Sequence, residues 1–277
     1  MFEKLILNWF TILKFGLLIV LLVAVYSTLI ERYWVEIKQV TVNLDKFPDD
    51  QKGLRLVLFS DTHLGFFFNE NDLRETVEKI NQLNPDVICF TGDFLDSRDS
   101  LSLLEPASEI LQILHAPLGK YAILGNHDYR SHEGKIREAL QAGGFQVLIN
   151  QSVTIQKENQ QLAFIGLDDV LHGNPDFDQA MKSVQRESTK ILLVHEPDVS
   201  ERIQVSGVDL QLSGHSHAGQ VRFPFVGPVL TSTLGKTYNA GLYQTGSTTV
   251  YTNRGLGTTI LPVRLFARPE ITVLTIQ

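Results

Sequence analysis

The stretch Tyr121-Ala122-Ile123-Leu124-Gly125-Asn126-His127-Asp128 decides how this chain is read. Its first half is an apolar run suited to a buried strand. Its second half is a tight turn that sets an amide and an imidazole at the end of that strand. Gly125 lets the backbone come close to whatever lies beyond. One such turn means little. Four more His- or Asp-bearing turns follow apolar runs: Asp61 and His63 after 54–59, Gly92-Asp93 after 86–90, His195 after 191–194, and Gly214-His215-Ser216-His217 after 208–212.

Working outward, apolar spacing marks helices over 71–83, 102–114 and 131–142, the last ended by Gly143-Gly144. Alternation of strands (54–59, 86–90, 119–124) with these helices argues for a largely parallel sheet covered by helices. After Phe145 the pattern becomes strand-rich: 145–149, 153–156, 162–167, 191–194 and 208–212, then a Gly/Thr-rich tail with strands at 242–243, 248–252 and 271–276. Two packed sheets with helices outside are expected. Residues 34–44 alternate in two phases, Val35 and Ile37, then Val40, Val42 and Leu44, which predicts a bulge near Gln39. Residues 47–53, with Pro48-Asp49-Asp50, read as a turn.

Of the 277 residues, 43% are hydrophobic, enough for one substantial globular domain and some extra material. A formal net charge of −7 and no Lys/Arg-rich block argue against nucleic acid as a partner. The single cysteine, Cys89, excludes an internal disulfide and a Cys-based zinc site. The N-terminus differs in kind. Residues 11–30 carry one charge, Lys14, and 15–30 carry none. About 20 apolar residues cross a bilayer core, and Trp9, Tyr33 and Trp34 lie where interfacial aromatics belong. A cleaved signal peptide is the competing reading, but Val25-Tyr26-Ser27 is a poor cleavage site. The expectation is a membrane anchor over 1–33 and a globular domain over 34–277, with the side of the membrane unreadable because flanking Lys and Arg roughly balance.

In open α/β sheets, sites form beyond the carboxyl ends of strands, so the five turns can converge. In extended backbone, residues i and i+2 face one way, which would pair Asp61 with His63 and His215 with His217. Imidazole, carboxylate and amide oxygen together suit Mn, Fe or Zn.

In this order the blocks Asp61-Thr62-His63, Gly92-Asp93, Gly125-Asn126-His127-Asp128, His195 and Gly214-His215-Ser216-His217 resemble the calcineurin-like metallophosphoesterases. The Ser60 to Gly65 form of the first block resembles a membrane-associated branch of that family, the YkuE/YaeI type, which includes UDP-2,3-diacylglucosamine pyrophosphatases. So does the tail Asn253-Arg254-Gly255-Leu256-Gly257 with Pro262-Val263-Arg264 and Arg268-Pro269-Glu270-Ile271. The resemblance implies a four-layer α-β-β-α sandwich with an N-terminal transmembrane helix. It implies that Asp61, His63 and His217 bind one metal, that Asn126, His195 and His215 bind another, and that Asp93 bridges both. His127 would face the scissile phosphate and Asp128 would orient it. Two divalent ions, Mn foremost and Fe or Zn next, would hold a hydroxide and clamp a phosphoryl group for in-line attack. Asn126 as a neutral ligand would leave excess positive charge for an anionic substrate. The implied activity is a phosphodiesterase or pyrophosphatase acting on a lipid-linked substrate such as UDP-2,3-diacylglucosamine, in lipid A synthesis. The implied location is the inner membrane, with no obligate protein partner. A cell-envelope phosphatase of other substrate, a nuclease and a non-catalytic scaffold are the alternatives.

Other residues stay outside the motifs. His115 ends a helix and His132 is solvated on this reading, whereas His172 is a candidate for the pocket rim. Phe66-Phe67-Phe68 is either core or an apolar ledge beside the metals. Arg98 binds phosphate or is solvated, and Arg254 contacts substrate or ties the tail to the site.

Overall fold

The computed structural model describes residues 2–44, 46, 53–157, 159–202 and 207–277. Residues 47–52 of the turn expected over 47–53, and the side chain of Arg98, lie outside the described residues. In chain order the elements are α1 (Phe2–Leu29), β1 (Glu36–Val42), β2 (Leu54–Phe59), α2 (Glu70–Gln82), β3 (Val87–Thr91), α3 (Leu104–Gln112), β4 (Lys120–Ile123), α4 (Asn126–Ser131), α5 (Glu133–Ala142), β5 (Gln146–Val147), β6 (Gln151–Lys157) and β7 (Gln160–Gly166). They continue with α6 (Phe177–Met181), β8 (Thr189–Leu193), α7 (Val199–Arg202), β9 (Leu210–Ser213), the hairpin strands β10 (Arg222–Phe223) and β11 (Gly227–Pro228), then β12 (Gly241–Thr245), β13 (Thr248–Thr252) and β14 (Glu270–Ile276).

Two six-stranded sheets form among the described residues, ordered β1-β14-β2-β3-β4-β5 and β12-β13-β9-β8-β7-β6. Strands β2 to β5 run parallel in the first, and β7, β8, β9 and β13 run parallel in the second. Their inner faces meet through Leu56, Leu58, Cys89 and Tyr121 on one side and Phe164, Ile191, Leu212 and Tyr251 on the other. The outer face of the first sheet (Val57, Phe59, Ile88, Phe90) packs on α2, α3 and α5. That of the second (Ala163, Ile165, Leu192, Val194) packs on α6 and α7. The result is the expected four-layer α-β-β-α sandwich, and the two parallel blocks bring their strand ends to one edge.

Each helix is laid on its sheet by its apolar stripe. In α2, Leu73, Val77 and Ile80 are buried at helical spacing, and Asn69 and Asp72 close a reciprocal cap at its start. The bulge expected near Gln39 does not occur: β1 pairs with β14 residue for residue from Glu36–Glu270 to Val42–Ile276. The two phases are the two faces of one regular strand. Val35 packs toward the outer helices, and Val40, Val42 and Leu44 pack between the sheets. The helix expected over 102–114 begins as a 3-10 turn at 98–103 before α3. A short helix, α4, precedes α5 and is broken from it at His132.

Helix α1 is apolar, and the span Trp9–Tyr33 is long enough to cross a membrane. Its end is fastened to the domain. Arg264 N–H donates to the Ser27 carbonyl (3.0 Å), and Ala267 N–H donates to Glu31 Oε1 (2.8 Å), with Glu31 buried.

Candidate metal centre

Each turn enters the site from a strand end and is locked by its neighbours. Asp61 N–H donates to Gly92 O and His63 N–H to Asp93 O, which joins the turns after β2 and β3. His215 N–H donates to the Asp61 carboxylate (2.9 Å to Oδ1), which joins the two sheets at their carboxyl edges. The backbone here is not extended. Asp61, His63, Asp93, His215 and His217 all have left-handed backbone, with φ of 50°, 44°, 58°, 67° and 49°. Such conformations cost side-chain-bearing residues of order 1–3 kcal/mol each and persist where the surroundings dictate them. The expectation that i, i+2 geometry aims each pair is therefore corrected: the pairs do converge, through kinks rather than a pleat. Gly125 has no alternative, because a Cβ there would lie 2.4 Å from Asp93 Oδ1 and 2.7 Å from His195 Cε1.

The structure brings all seven expected ligands together. One donor atom from each of Asp61, His63 and His217 lies within 4.8 Å of the other two, and the same holds for Asp93, His195 and His215 and for His63, Asp93 and His127. His63 Nε2 stands 3.1 Å from His217 Nε2, and His217 Nε2 stands 3.4 Å from Asp61 Oδ1. Asp93 Oδ2 lies 3.6 Å from His63 Nε2 and 3.1 Å from His195 Nε2, between the two groups. Asn126 Oδ1 is 2.9 Å from His215 Nδ1.

These residues fit divalent cations on their own chemistry. His195 Nδ1–H donates to Thr91 O (2.7 Å), which leaves the buried Nε2 facing Asp93 without an aligned hydrogen bond. His215 Nε2–H donates to Thr233 O (2.7 Å), so Nδ1 turns a lone pair toward the Asn126 carbonyl. Burial drives the imidazoles of His63 and His215 down to about 3 and 4 and that of His217 well below its ordinary value, so all three are neutral and able to donate. Burial, opposed by His195 and aided by the charge of Asp93, pushes the Asp61 carboxyl up to about 7. Against its own burial, Asp93 is held well below the carboxylate range by His195, and His195 is raised by Asp93 in return. A buried cluster with these opposed shifts gains stability from cations.

Asp128 departs from its expected place. Its carboxylate is fully buried and accepts four backbone N–H groups, from Asp93 (2.9 Å), Phe94 (2.8 Å), Leu95 (3.2 Å) and Gly125 (2.9 Å). It holds the turn after β3 against the start of α4 instead of meeting the His127 ring, because three of its donors are consecutive amides of that turn and the fourth is that of Gly125, the N-cap of α4. The half-buried His127 packs edge-on to His63 (4.8 Å between ring centroids) and donates its backbone N–H to Asp93 Oδ1 (2.8 Å).

Two residues to which the sequence reading gave no role lie at the site. Asp96 Oδ1 lies 3.9 Å from His63 Nδ1, and its carboxyl is raised by burial and drawn back by His127. Its signal was its spacing, three residues beyond Asp93. Arg264 is fully buried behind His217, with Nη2 3.3 Å from His217 Nδ1, and donates to the carbonyls of Arg254, Gly255 and Ala267. A lone Arg in a Pro-Val-Arg stretch carries no sequence mark of burial. Arg254 pairs with Glu36 (2.7 Å) and Glu270, so it ties the tail to β1 and β14. His172 is exposed and accepts from Arg130 Nε (2.9 Å). His115 lies beyond the end of α3, and exposed His132 caps α5. The Phe triplet divides: Phe68 joins the core, Phe66 is 88% exposed, and Phe67 lies between them under the Arg32 guanidinium.

Comparison with known proteins agrees with this architecture. Residues 54–219 match the family model for the calcineurin-like phosphoesterases. The chain is 40% identical over 254 residues to the uncharacterized metallophosphoesterase YkuE of Bacillus subtilis, covering 91% of this chain and 89% of that one. It is 30% identical to the phosphodiesterase YaeI of Escherichia coli, over 90% of this chain and 91% of that one. It is 33% identical to a zebrafish (Danio rerio) transmembrane protein with a metallophosphoesterase domain, over 95% of this chain and 62% of that one. The chain belongs to the calcineurin-like phosphoesterase family, in its YkuE/YaeI-type branch, and is a phosphoester hydrolase.

Proposed function

We propose that residues 1–33 anchor the chain in the cell's inner membrane and that residues 34–277 hydrolyse a lipid-linked phosphodiester or pyrophosphate with two divalent metals. The observation that carries this reading is the position of Asp93, within 3.6 Å of His63 on one side and 3.1 Å of His195 on the other. Asp61, His63 and His217 hold one metal and Asn126, His195 and His215 the other, with Asp93 shared. The donor set favours Mn, with Fe or Zn as competitors. What such a pair supplies when bound is polarisation of the phosphoryl oxygens and activation of the attacking water.

The chain's own residues do the rest. The left-handed turns fix the donors before any ligand arrives. His127, half-buried at the site beside His63, holds a proton and delivers it to the leaving oxygen, and Asp96 positions that imidazole by its charge. Hydrolysis is direct, without a phosphoenzyme.

A lipid-linked substrate is supported by three neighbouring features. Phe66 projects into solvent directly after the His63 turn. A cavity of about 170 Å³ opens between Phe67, Phe68 and the end of the anchor at Arg32 and Tyr33. Its far wall is Leu256–Thr258, the turn whose Gly257 N–H donates to Asp61 O. UDP-2,3-diacylglucosamine, a lipid A precursor with a pyrophosphate at headgroup level, has the matching chemistry.

The test is hydrolysis of UDP-2,3-diacylglucosamine by detergent-purified protein with Mn²⁺, read by mass spectrometry beside Asp93→Ala and His127→Ala. UMP and lipid monophosphate from wild type alone are expected. Cleavage of a generic phosphodiester without cleavage of the lipid would leave the metal chemistry and discard that substrate. A purified chain that binds no metal would point to a scaffold.

A further inference from the structure

We infer that the β10–β11 hairpin, together with Ile260, Leu261 and Phe266, is a second membrane contact that dips into the lipid surface beside the anchor and holds the metal centre against it. The inference rests on the proposed reading of α1 as a membrane anchor.

Depth is the first argument. The last carbonyls of a helix lack partners within it. That of Ser27 is satisfied by Arg264 N–H (3.0 Å), so the strip 264–267 lies alongside the final turn of α1. Ala267 N–H reaches Glu31 (2.8 Å), and the Arg268 guanidinium stacks 4.2 Å above Trp34. The apolar run ends at Ile30, so at 1.5 Å per residue this strip lies within about 5 Å of the lipid–water boundary. The same strip carries the hairpin. Leu265 N–H donates to Gln220 O (2.8 Å), and Arg222 N–H donates to Leu265 O (3.0 Å). Gln220 also holds the adjoining loop, with Nε2 donating to Thr259 O (3.0 Å). Hairpin and loop are thus tied to the depth at which α1 leaves the bilayer.

Chemistry is the second argument. Phe225 at the hairpin tip is fully exposed, Val226 is 82% exposed and Ile260 is 95% exposed. Phe223, Leu261 and Phe266 are exposed beside them. Phe225, Ile260 and Phe266 also have left-handed backbone, with φ of 67°, 62° and 54°. For a β-branched residue such as Ile260 that is a genuine outlier. In water these residues would bear both backbone strain and exposed apolar area. At a lipid surface the apolar side chains leave water, which favours insertion in proportion to the area buried. Arg222 at the hairpin base and Arg268 at the anchor end suit the phosphate groups of the headgroup layer.

Position is the third argument. His217 is three residues before Gln220, so fixing the hairpin at the surface fixes the metal centre there.

The experiment uses the full chain in nanodiscs of phosphatidylethanolamine and phosphatidylglycerol. The only native cysteine, Cys89, is buried, so nitroxide labels can be placed by Phe225→Cys and, in the span, by Leu18→Cys. Both labels are expected to be accessible to oxygen and shielded from a water-soluble nickel chelate. A lipid-buried label at 18 with a water-exposed label at 225 overturns the second contact and leaves anchor and hydrolase readings intact. Shielding at 225 with spin–spin broadening that unlabelled chain dilutes away assigns the surface to a second copy and overturns it too. A water-exposed label at 18 removes the anchor and this inference with it. In parallel, Phe225→Asp with Val226→Asp is expected to slow hydrolysis of a bilayer-held phosphodiester at least about tenfold, the equivalent of one lost apolar insertion, while soluble bis(p-nitrophenyl) phosphate is cleaved at the wild-type rate. Equal slowing of both substrates would overturn the inference.

Discussion

Asp128 accepts the backbone N–H of Asp93 at 2.9 Å, and with the same oxygen that of Gly125 at 2.9 Å. One carboxylate therefore sets the spacing between Asp93, the residue proposed to serve both metals, and the turn that bears Asn126 and His127. An amide in its place has one oxygen for four donors and turns an NH₂ toward two of them. Asp128→Asn is expected to cost about 2–3 kcal/mol in urea unfolding at pH 8, as buried N–H groups lose their acceptor. Bound metal should fall in parallel. A shifted acidic limb in the pH–rate profile with unchanged stability would instead restore Asp128 as the residue that orients His127.

Gly125→Ala places a methyl where Asp93 Oδ1 and His195 Cε1 already stand, 2.4 Å and 2.7 Å away. The neighbours are a carboxylate and a ring fixed by other bonds, so neither can yield. Displacement of catalytic geometry by about 1 Å costs on the order of 10²-fold in rate. At least that loss of phosphodiesterase activity is expected, with far-ultraviolet circular dichroism unchanged. Wild-type turnover in the alanine variant would show that the turn is more plastic than its packing.

Stripping the metals should make stability depend on pH in a defined sense. Asp61 and Asp128 have carboxyls pushed up to about 7, and Glu196 up to about 8, in each case chiefly by burial. Their stabilising contribution is complete below the unfolded value near 4 and is lost as pH rises through 7 to 8. His195 is raised well above its ordinary value and works in the same direction. His63, His215 and His217 are depressed, so they destabilise only below about 6.5, where the unfolded chain takes up protons. The opposing groups offset one another below about 6.5 and leave a net loss above it. The melting temperature of chelator-treated protein is expected to fall between pH 6.5 and about 8, and added Mn²⁺ should restore most at the upper end, where Asp61 is charged. A metal-free melting temperature that rises over this interval would mean that the carboxylates are ionised without penalty.

Much of this was legible in the sequence because a few elements carry unambiguous periods. The stretch 54–59 reads as a buried run and is β2, and the spacing of Leu73, Val77 and Ile80 sets the buried face of α2. The candidate metal-site residues could be picked out because each ends such a run and the blocks follow the order of the resembling family. Their backbone could not: nothing in Asp-x-His says that both residues adopt left-handed φ, which follows from hydrogen bonds to turns distant in sequence. The bulge expected at Gln39 came from reading one strand as one-faced, when β1 has apolar neighbours on both faces. Arg264 was silent for a related reason. Its burial depends on a ring of carbonyls from 254–267 that exists only after the tail folds over the GHSH turn.

That ring makes Arg264 the most informative remaining position. The guanidinium is fully buried, and burial lowers its pKa to about 9, so it stays charged at neutral pH beside Asp61 and His217. Its forked donors reach the Arg254 carbonyl at 2.8 Å and the Ala267 carbonyl at 3.0 Å, while its own backbone N–H caps α1 at Ser27. A lysine ammonium is a compact point charge without that planar fork. Arg264→Lys is expected to leave at least one buried carbonyl unpaired, at about 1–3 kcal/mol, and to weaken Mn²⁺ binding by loosening the support behind His217. Arg264→Ala removes all the donors and should be worse on both counts. The backbone N–H survives either change, so the joint to α1 should persist, and protease nicking near residues 30–35 should not increase. Weakened metal binding in Arg264→Lys with no loss of stability would place the arginine's effect on the charge at the site alone, and unchanged metal binding in both variants would remove it from the site.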